Sequence, residues 1–344
     1  MRPAAPFPAP FPSAGRRSAL GSAGALTLAA VLAALLAAGP ARAAPEEVNY
    51  LMPAPPTLPA FAPWQIAVAK GFYAEENIKL NFVLARGGVD VAKQVGAGNA
   101  LMGGAIGDTP IIVRPNGVPV KAVAVLGGGS LMLLATQQGG PIRSPKDLKG
   151  QTVTVLSYTD TTYYALLGSM KAFGLGKSDA NIQAAGPAGV WQLFAGGKAQ
   201  AMAGTADWIA EVEATGTKVD VHPSGEYFPS MAQAILASDE AIRSRPETVQ
   251  KVVRATLKGL KYMLDDPKGS VAAFVQAVPA YAGKEAMLER AFALARQHVY
   301  GGQKVLGQVD AARLDAVQKF YVDEAIVPKA TPLAELYTNQ FIGK

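Results

Sequence analysis

Residues 48–84 read VNYLMPAPPTLPAFAPWQIAVAKGFYAEENIKLNFVL. Val48-Asn49-Tyr50-Leu51 has the composition of a strand, and Lys79 to Leu84 repeats it. Between them, Trp64 to Tyr73 sets Ile66, Ala69 and Tyr73 on one side of a predicted helix. The alternation continues outward. Val89 to Val95 reads as a helix, Leu101 to Ile106 as a strand of small residues, and Pro110 to Arg114 as a short helix stopped by Pro115-Asn116-Gly117. Val118 to Leu126 and Leu131 to Thr136 read as strands. This order predicts an α/β chain with a mostly parallel sheet covered by helices.

The pattern then restarts. Ser144-Pro145-Lys146-Asp147-Leu148 begins a helical turn and Thr152 to Leu156 is a strand. Tyr163, Leu166, Leu167, Met170 and Phe173 follow at helical spacing up to Gly174. A helix through Trp191 to Phe194, a strand at Ala201 to Thr205, a helix from Asp207 to Ala214 and a strand at Lys218 to Val221 complete this block. Residues 88–105 and 189–206 align at an offset of 101, matching Gly88 with Gly189, Gly96 with Gly197 and Gly103 with Gly204. Both segments read as helix, small-residue corner, strand, which hints at two similar halves. The last third is helical: Val249, Val252, Val253, Leu257, Leu260 and Leu264 form one apolar stripe, and Glu285 to Gln297 and Ala311 to Tyr321 read as covering helices. The expected division is a first lobe of residues 44–138 and 229–344 and a second lobe of residues 139–228, joined by a two-strand crossover near Gln137 and Phe228.

Half of the 344 residues are apolar, enough for a sizeable core, and there is no cysteine. Disulfides, thiolate metal sites and cysteine nucleophiles are therefore excluded. The net charge of +6 is concentrated at the start. Arg2, Arg16, Arg17 and Arg42 fall in the first 43 residues, which hold no acid, and the rest carries 28 basic against 26 acidic groups. A body so nearly neutral has no electrostatic footprint for nucleic acid. Arg16-Arg17, an apolar run from Ala25 to Ala38 and Ala41-Arg42-Ala43 form a secretory signal over residues 1–43, with the arginine pair compatible with twin-arginine export. Periplasmic localisation is the expectation.

The residues resemble a known family, the periplasmic binding proteins for nitrate, sulfonates, taurine and the thiamine pyrimidine precursor. The resemblance rests on Phe61-Ala62-Pro63-Trp64 with Ala69-Lys70-Gly71-Phe72-Tyr73, on Gly107-Asp108-Thr109-Pro110, on Asp147-Leu148-Lys149-Gly150, and on Ser238-Asp239-Glu240 followed by Pro246-Glu247. It covers nearly all of residues 46–344. The stretch Gly197-Lys198-Ala199-Gln200-Ala201 followed by Thr205-Ala206-Asp207-Trp208 departs from the pattern of the sulfonate-binding members. The resemblance implies a two-lobed type II periplasmic binding protein fold with a ligand in the cleft between the lobes. It also implies service as the substrate-binding subunit of an ABC importer, with a membrane permease as partner, a monomeric state and no cofactor. A pyrimidine-synthase-like enzyme of the same fold and a sensor that feeds no transporter are the alternatives; such enzymes use clustered His and Cys.

Ligands of open α/β sheets collect beyond the carboxyl ends of the strands. Three loops fall there. Pro53 to Phe61 leads to Phe61 and Trp64, which serve either as core or as pocket wall. Asp108 and Thr109 stand before a short helix, where Asp108 is either its cap or an acceptor for a ligand N–H. Ser157, Tyr158, Thr159, Thr161 and Thr162 bring hydroxyls to a helix amino terminus, which favours an anionic or oxygen-rich group. Asp207 and Trp208 are further candidates, with Trp191 and Tyr227 behind them. His222 and His298 have no ligand spacing, so neither a metal nor a histidine base is expected. Gly127-Gly128-Gly129-Ser130 lacks the lysine of a phosphate loop and reads as a turn.

Overall fold

A computed structural model describes Ala9 and residues 44–343. The export signal expected over residues 1–43 lies outside the described residues, Ala9 apart. From Pro45 onward the chain builds two five-stranded sheets. The first is made by β1 (Glu46–Met52), β2 (Ile78–Leu84), β3 (Met102–Ile106) and β4 (Val120–Val125). The second holds β5 (Leu133–Gln137), β6 (Thr152–Val155), β7 (Asn181–Ala184), β8 (Ala201–Gly204) and β9 (Val219–Pro223). The chain then returns to the first sheet as β10 (Gln233–Ser238).

The strand orders are β2-β1-β3-β10-β4 and β7-β6-β8-β5-β9. In each sheet the first three strands run parallel and the fourth is antiparallel to both neighbours. The expected two-lobed α/β architecture is therefore present. One boundary differs: β5, assigned from the sequence to the first lobe, is an interior strand of the second sheet, paired with Ala201–Gly204 and Val219–Pro223. Each sheet thus borrows its fourth strand from the chain that has just left the other. The crossovers are residues 126–132 and 224–232. They pair with each other through Leu131 N–H to the Met231 carbonyl (3.1 Å) and Ser130 Oγ to the Ser230 carbonyl (2.6 Å).

The helices follow from local signals. In the first lobe, α1 (Ala62–Ala69) has Pro63 in its first turn, where a missing N–H costs nothing, and stops before Gly71 at φ +74°. The expected single helix to Tyr73 is therefore broken, and a separate turn, α2 (Phe72–Glu75), carries the rest. Next come α3 (Gly88–Gly96) and α4 (Thr109–Val113). The second lobe has α5 (Thr161–Lys171), α6 (Gly186–Ala195) and α7 (Ala206–Ala214). The pairs α3–β3 and α6–β8 occupy matching places in the two sheets, which accounts for the 101-residue repeat.

After β10, the chain runs through α8 (Asp239–Ser244), the amphipathic α9 (Pro246–Asp265), α10 (Pro267–Ala277) and α11 (Glu285–Ala295). A π-helical turn at Arg296–Tyr300, α12 (Ala311–Asp323) and α13 (Leu333–Leu336) follow. Packing of α9 on α1 is close enough that a Cβ on Gly259 would lie 2.1 Å from the Pro63 carbonyl oxygen. The 20 residues of α9 are the longest described helix, and no described helix is long and apolar enough to cross a membrane.

Candidate ligand-binding site

A cavity of about 40 Å³ opens between the two sheets. From the first lobe it takes Leu58, Phe61 and Trp64 on the segment after β1, Gly88 at the start of α3, and Gly104 to Ile106 on β3. From the second it takes Leu156 at the end of β6, Asp160 to Thr162 at the start of α5, and Thr205 and Trp208 at the start of α7. Leu131 and Gln233 close it on the crossover side. These positions lie beyond the carboxyl ends of parallel strands, where helices start and side chains converge. Small residues on β3 make the room: Gly104 leaves space against the Tyr50 hydroxyl, 3.5 Å from where its Cβ would stand.

Of the expected site residues, Phe61, Trp64, Thr161, Thr162 and Trp208 line this cavity. Phe61 and Trp64 are both wall and core: they are buried and meet edge to face at 6.1 Å. Asp207 is next to the cavity, not in it. Its carboxyl accepts from Thr205 Oγ1, while Oδ2 is buried without a partner. A smaller adjoining space bounded by Asp207, Ala60 and Tyr300 lies behind it.

Ser157, Tyr158 and Thr159 sit on the rim. Tyr158 is half exposed and donates to the Ile182 carbonyl (2.9 Å). Ser157 and Thr159 share a hydroxyl contact at 3.2 Å. Thr159 Oγ1 donates across the mouth to the Arg86 carbonyl (2.9 Å), and Val89 N–H donates to the Thr159 carbonyl (3.3 Å). The lobes therefore touch at this edge. Gly87 makes the contact possible: it stands at φ +90°, and a Cβ there would lie 3.0 Å from the Thr159 carbonyl oxygen.

Asp108 belongs elsewhere. It does not cap α4 with its side chain; Thr109 Oγ1 donates instead to the Ile106 carbonyl (2.7 Å). Asp108 Oδ2 accepts from the Tyr321 hydroxyl (3.4 Å) and Oδ1 is buried without a partner. Burial pushes its carboxyl up to about 7, opposed by backbone N–H groups, Tyr321 and the charge of Arg313. Arg313, on α12, ties both crossovers together. Its guanidinium donates to the Gly128 carbonyl and Ser130 Oγ on one, and to the Pro229 and Ser230 carbonyls on the other. Asp108, just beyond the end of β3, thus faces Tyr321 and the charge of Arg313 at the hinge.

The glycine run before Ser130 is not a free turn. Gly128 N–H donates to the Gly301 carbonyl and Gly129 N–H to the Val299 carbonyl, both at 2.9 Å. A Cβ on Gly129 would lie 1.9 Å from the His298 carbonyl oxygen. These glycines exist so that one backbone can lie on another.

Sequence reasoning missed Asp160, Thr205 and Gln233. Asp160 was legible as a cap: Oδ1 accepts from Thr162 N–H (3.0 Å) and from Thr162 Oγ1. Burial raises its carboxyl, opposed first by Thr162. Burial likewise raises Asp207, opposed first by Thr205. Gln233 had no sequence signal; its amide donates to the Ala60 carbonyl (2.8 Å) and its oxygen accepts from the Tyr300 hydroxyl (2.6 Å). Trp191 and Tyr227, the weaker candidates, do not line the cavity. Among the described residues no group of three or more His, Cys, Asp or Glu side chains could hold a metal ion.

A family profile described as NMT1/THI5 like matches residues 58–270. The chain belongs to the NMT1/THI5-like family. The match begins at Leu58, on the cavity wall, and runs through both lobes to α10. In sequence this NMT1/THI5-like chain is similar to the riboflavin-binding protein RibY of Chloroflexus aurantiacus, 25% identical over 293 residues that cover 82% of each protein. In structure it is similar to the alkanesulfonate-binding protein SsuA from Xanthomonas axonopodis pv. citri bound to MOPS. That match has a TM-score of 0.68 at 19% identity, covering 87% of this chain and 99% of the other. The desulfurization enzyme DSZB shares the fold at a TM-score of 0.53 and 14% identity, over 86% of this chain and 97% of its own.

Proposed function

We propose that the protein is the extracytoplasmic substrate-binding subunit of an ABC importer, capturing a small organic molecule between its lobes. The observation that carries this reading is the cavity itself. Both lobes supply its walls, and the two are joined by a pair of mutually bonded crossovers, so a ligand there bridges bodies that can rotate about them. A cavity of about 40 Å³ holds little more than a water or two, so an organic ligand enters when the lobes separate. Likeness to a riboflavin-binding relative supports an organic ligand with a ring. The protein acts as a monomer and hands its ligand to a membrane permease. Residues 1–43 direct it to the periplasm and are removed there.

An enzyme reading draws on the fold of DSZB. The described lining weighs against it, since it offers threonines but no histidine, lysine or cysteine to act on them. Thermal unfolding of the purified protein against a panel that includes riboflavin tests the binding reading, because a ligand of the native state raises Tm with its concentration. Recovery of the bound molecule chemically unchanged is the expected result. Its conversion on repeated turnover would overturn the reading. Intact mass of the exported protein is expected to place the new amino terminus at or near Ala44.

A further inference from the structure

Several helices start around the cleft. Three of them carry an aspartate at the amino terminus, Asp90 in the first turn of α3, Asp160 before α5 and Asp207 in the first turn of α7, while α1 has no acid there. A bare helix amino terminus attracts anions through its free N–H groups and its dipole. Here that attraction is opposed. Asp160 takes the Thr162 N–H of α5, and Asp90, which accepts from the Arg86 N–H ahead of α3 at 2.9 Å, adds a carboxylate to the first turn of α3. Asp207 is buried beside the cavity with one oxygen to spare. Among the described residues, no lysine, arginine or histidine lines the cavity. Arg313 is occupied by four acceptors at the crossovers. The hydroxyls that suggested an anion site therefore stand in a field of the wrong sign.

The walls carry a second message. Trp64 and Trp208 line the cavity from opposite lobes and are almost wholly buried; the Trp64 indole N–H is set against the Tyr50 hydroxyl, whereas that of Trp208 has no hydrogen-bond partner. A buried donor left unmade keeps its full desolvation penalty, so the Trp208 indole is a strong reason to receive an acceptor. Resting on the binding reading above, we infer that the cleft takes an uncharged planar ring and rejects anions. The ring gives a carbonyl or ring-nitrogen acceptor to the indole N–H of Trp208, and its own N–H to acceptors on the Asp160 side. Phe61 and the two indoles cover its faces.

Calorimetry at pH 7 tests this with three uncharged rings, uracil, lumazine and lumichrome, against three anions, orotate, 2-naphthoate and 2-naphthalenesulfonate. At least one uncharged ring is expected to bind 100-fold more tightly than every anion. Trp208→Phe keeps the ring and removes the donor, and is expected to weaken that ligand about tenfold. Asp160→Asn keeps the cap and removes the charge, and is expected to narrow the gap between uracil and orotate, or between the larger rings and 2-naphthoate, by tenfold or more. Tight binding of an anion would overturn the inference and leave the binding reading standing. An uncharged ring whose affinity is untouched by Trp208→Phe would overturn the assigned contact. Binding of none of the six, with no change in Tm for either variant, would overturn both.

Discussion

The two sheets have the same strand order and the same antiparallel fourth strand, yet they are buried to different degrees. In the first, β3 and β10 are buried along their whole lengths, and β4 nearly so. In the second, the interior β5 and β8 are buried as well, and the difference lies at one edge: β9 is half-exposed throughout where its counterpart β4 is covered, while the opposite edges β2 and β7 are open in both. Topology is shared; cover is not. The helices after β10 serve both lobes: α9 packs on α1 of the first, and α11 packs on α7 of the second, where Arg290 pairs with Glu213 at 2.6 Å. Since hydrophobic stabilisation follows the apolar area removed from water, the first lobe, with its β4 edge covered, is the platform, and the β9 edge of the second is where local opening is expected to begin.

The largest expected effect is the contrast between cores. Leu236, wholly buried in the middle of β10, is expected to cost about 2–5 kcal/mol when truncated to alanine. Ile182 on half-exposed β7 should cost on the order of 1 kcal/mol for the same change. Urea denaturation of both variants checks this; equal losses would erase the distinction between covered and half-exposed strands. Next comes the clamp. Arg313→Met strands four acceptors on the crossovers and is expected to destabilise by roughly 3 kcal/mol. Hydrogen exchange at residues 126–132 and 224–232 should then rise before exchange in β10. A loss confined to α12 would separate the clamp from the hinge.

A smaller effect is a pH dependence seated in the platform. The Asp108 carboxyl is held up at about 7 in the fold against 3.8 for a free side chain. A raised folded value means that stability is fully present below the unfolded value and is lost as pH rises through the folded one. Between pH 5 and pH 8 that loss is roughly 2–3 kcal/mol. Asp108→Asn should flatten this fall, measured as ΔG of unfolding across the range; an unchanged slope would assign it to other groups. The smallest effect is at the rim. Gly87→Ala strains a φ of +90° and presses on the Thr159 carbonyl, and is expected to favour the open arrangement by about 1 kcal/mol. Scattering should show a larger radius of gyration with the urea midpoint little changed. A lowered midpoint at constant radius would mean that the rim contact supports the first lobe rather than closure.

Much of the fold was legible because its signals are local. The helical spacing of Tyr163 to Phe173 and the amphipathic stripe of α9 need no partner to be read. By contrast, β7 has four residues at an edge, too short for a pattern. β10 carries a continuous apolar run whose partners, β3 and β4, lie more than 100 residues earlier. The site divided in the same way. Aromatic walls and hydroxyls at the start of α5 were visible. That Asp160 consumes an α5 N–H, that Asp108 faces Tyr321 and Arg313, and that Gln233 joins Ala60 to Tyr300 depended on groups distant in sequence.

The sequence by itself determined two layered α/β halves, since alternation of short β-rich runs with helical periods is written residue by residue and repeats after 101 positions. It also determined that thiol chemistry is absent and that most of the net positive charge is carried before residue 44. Tertiary structure alone decided that β5 and β10 trade sheets, because strand pairing is a long-range choice settled by which edges meet. It alone decided the polarity of the cleft as well. An aspartate at a helix start reads as an ordinary cap in any sequence. Only when α3, α5 and α7 converge on one cavity, with Trp64 and Trp208 as its walls, do those caps together set the sign of the field that a ligand meets.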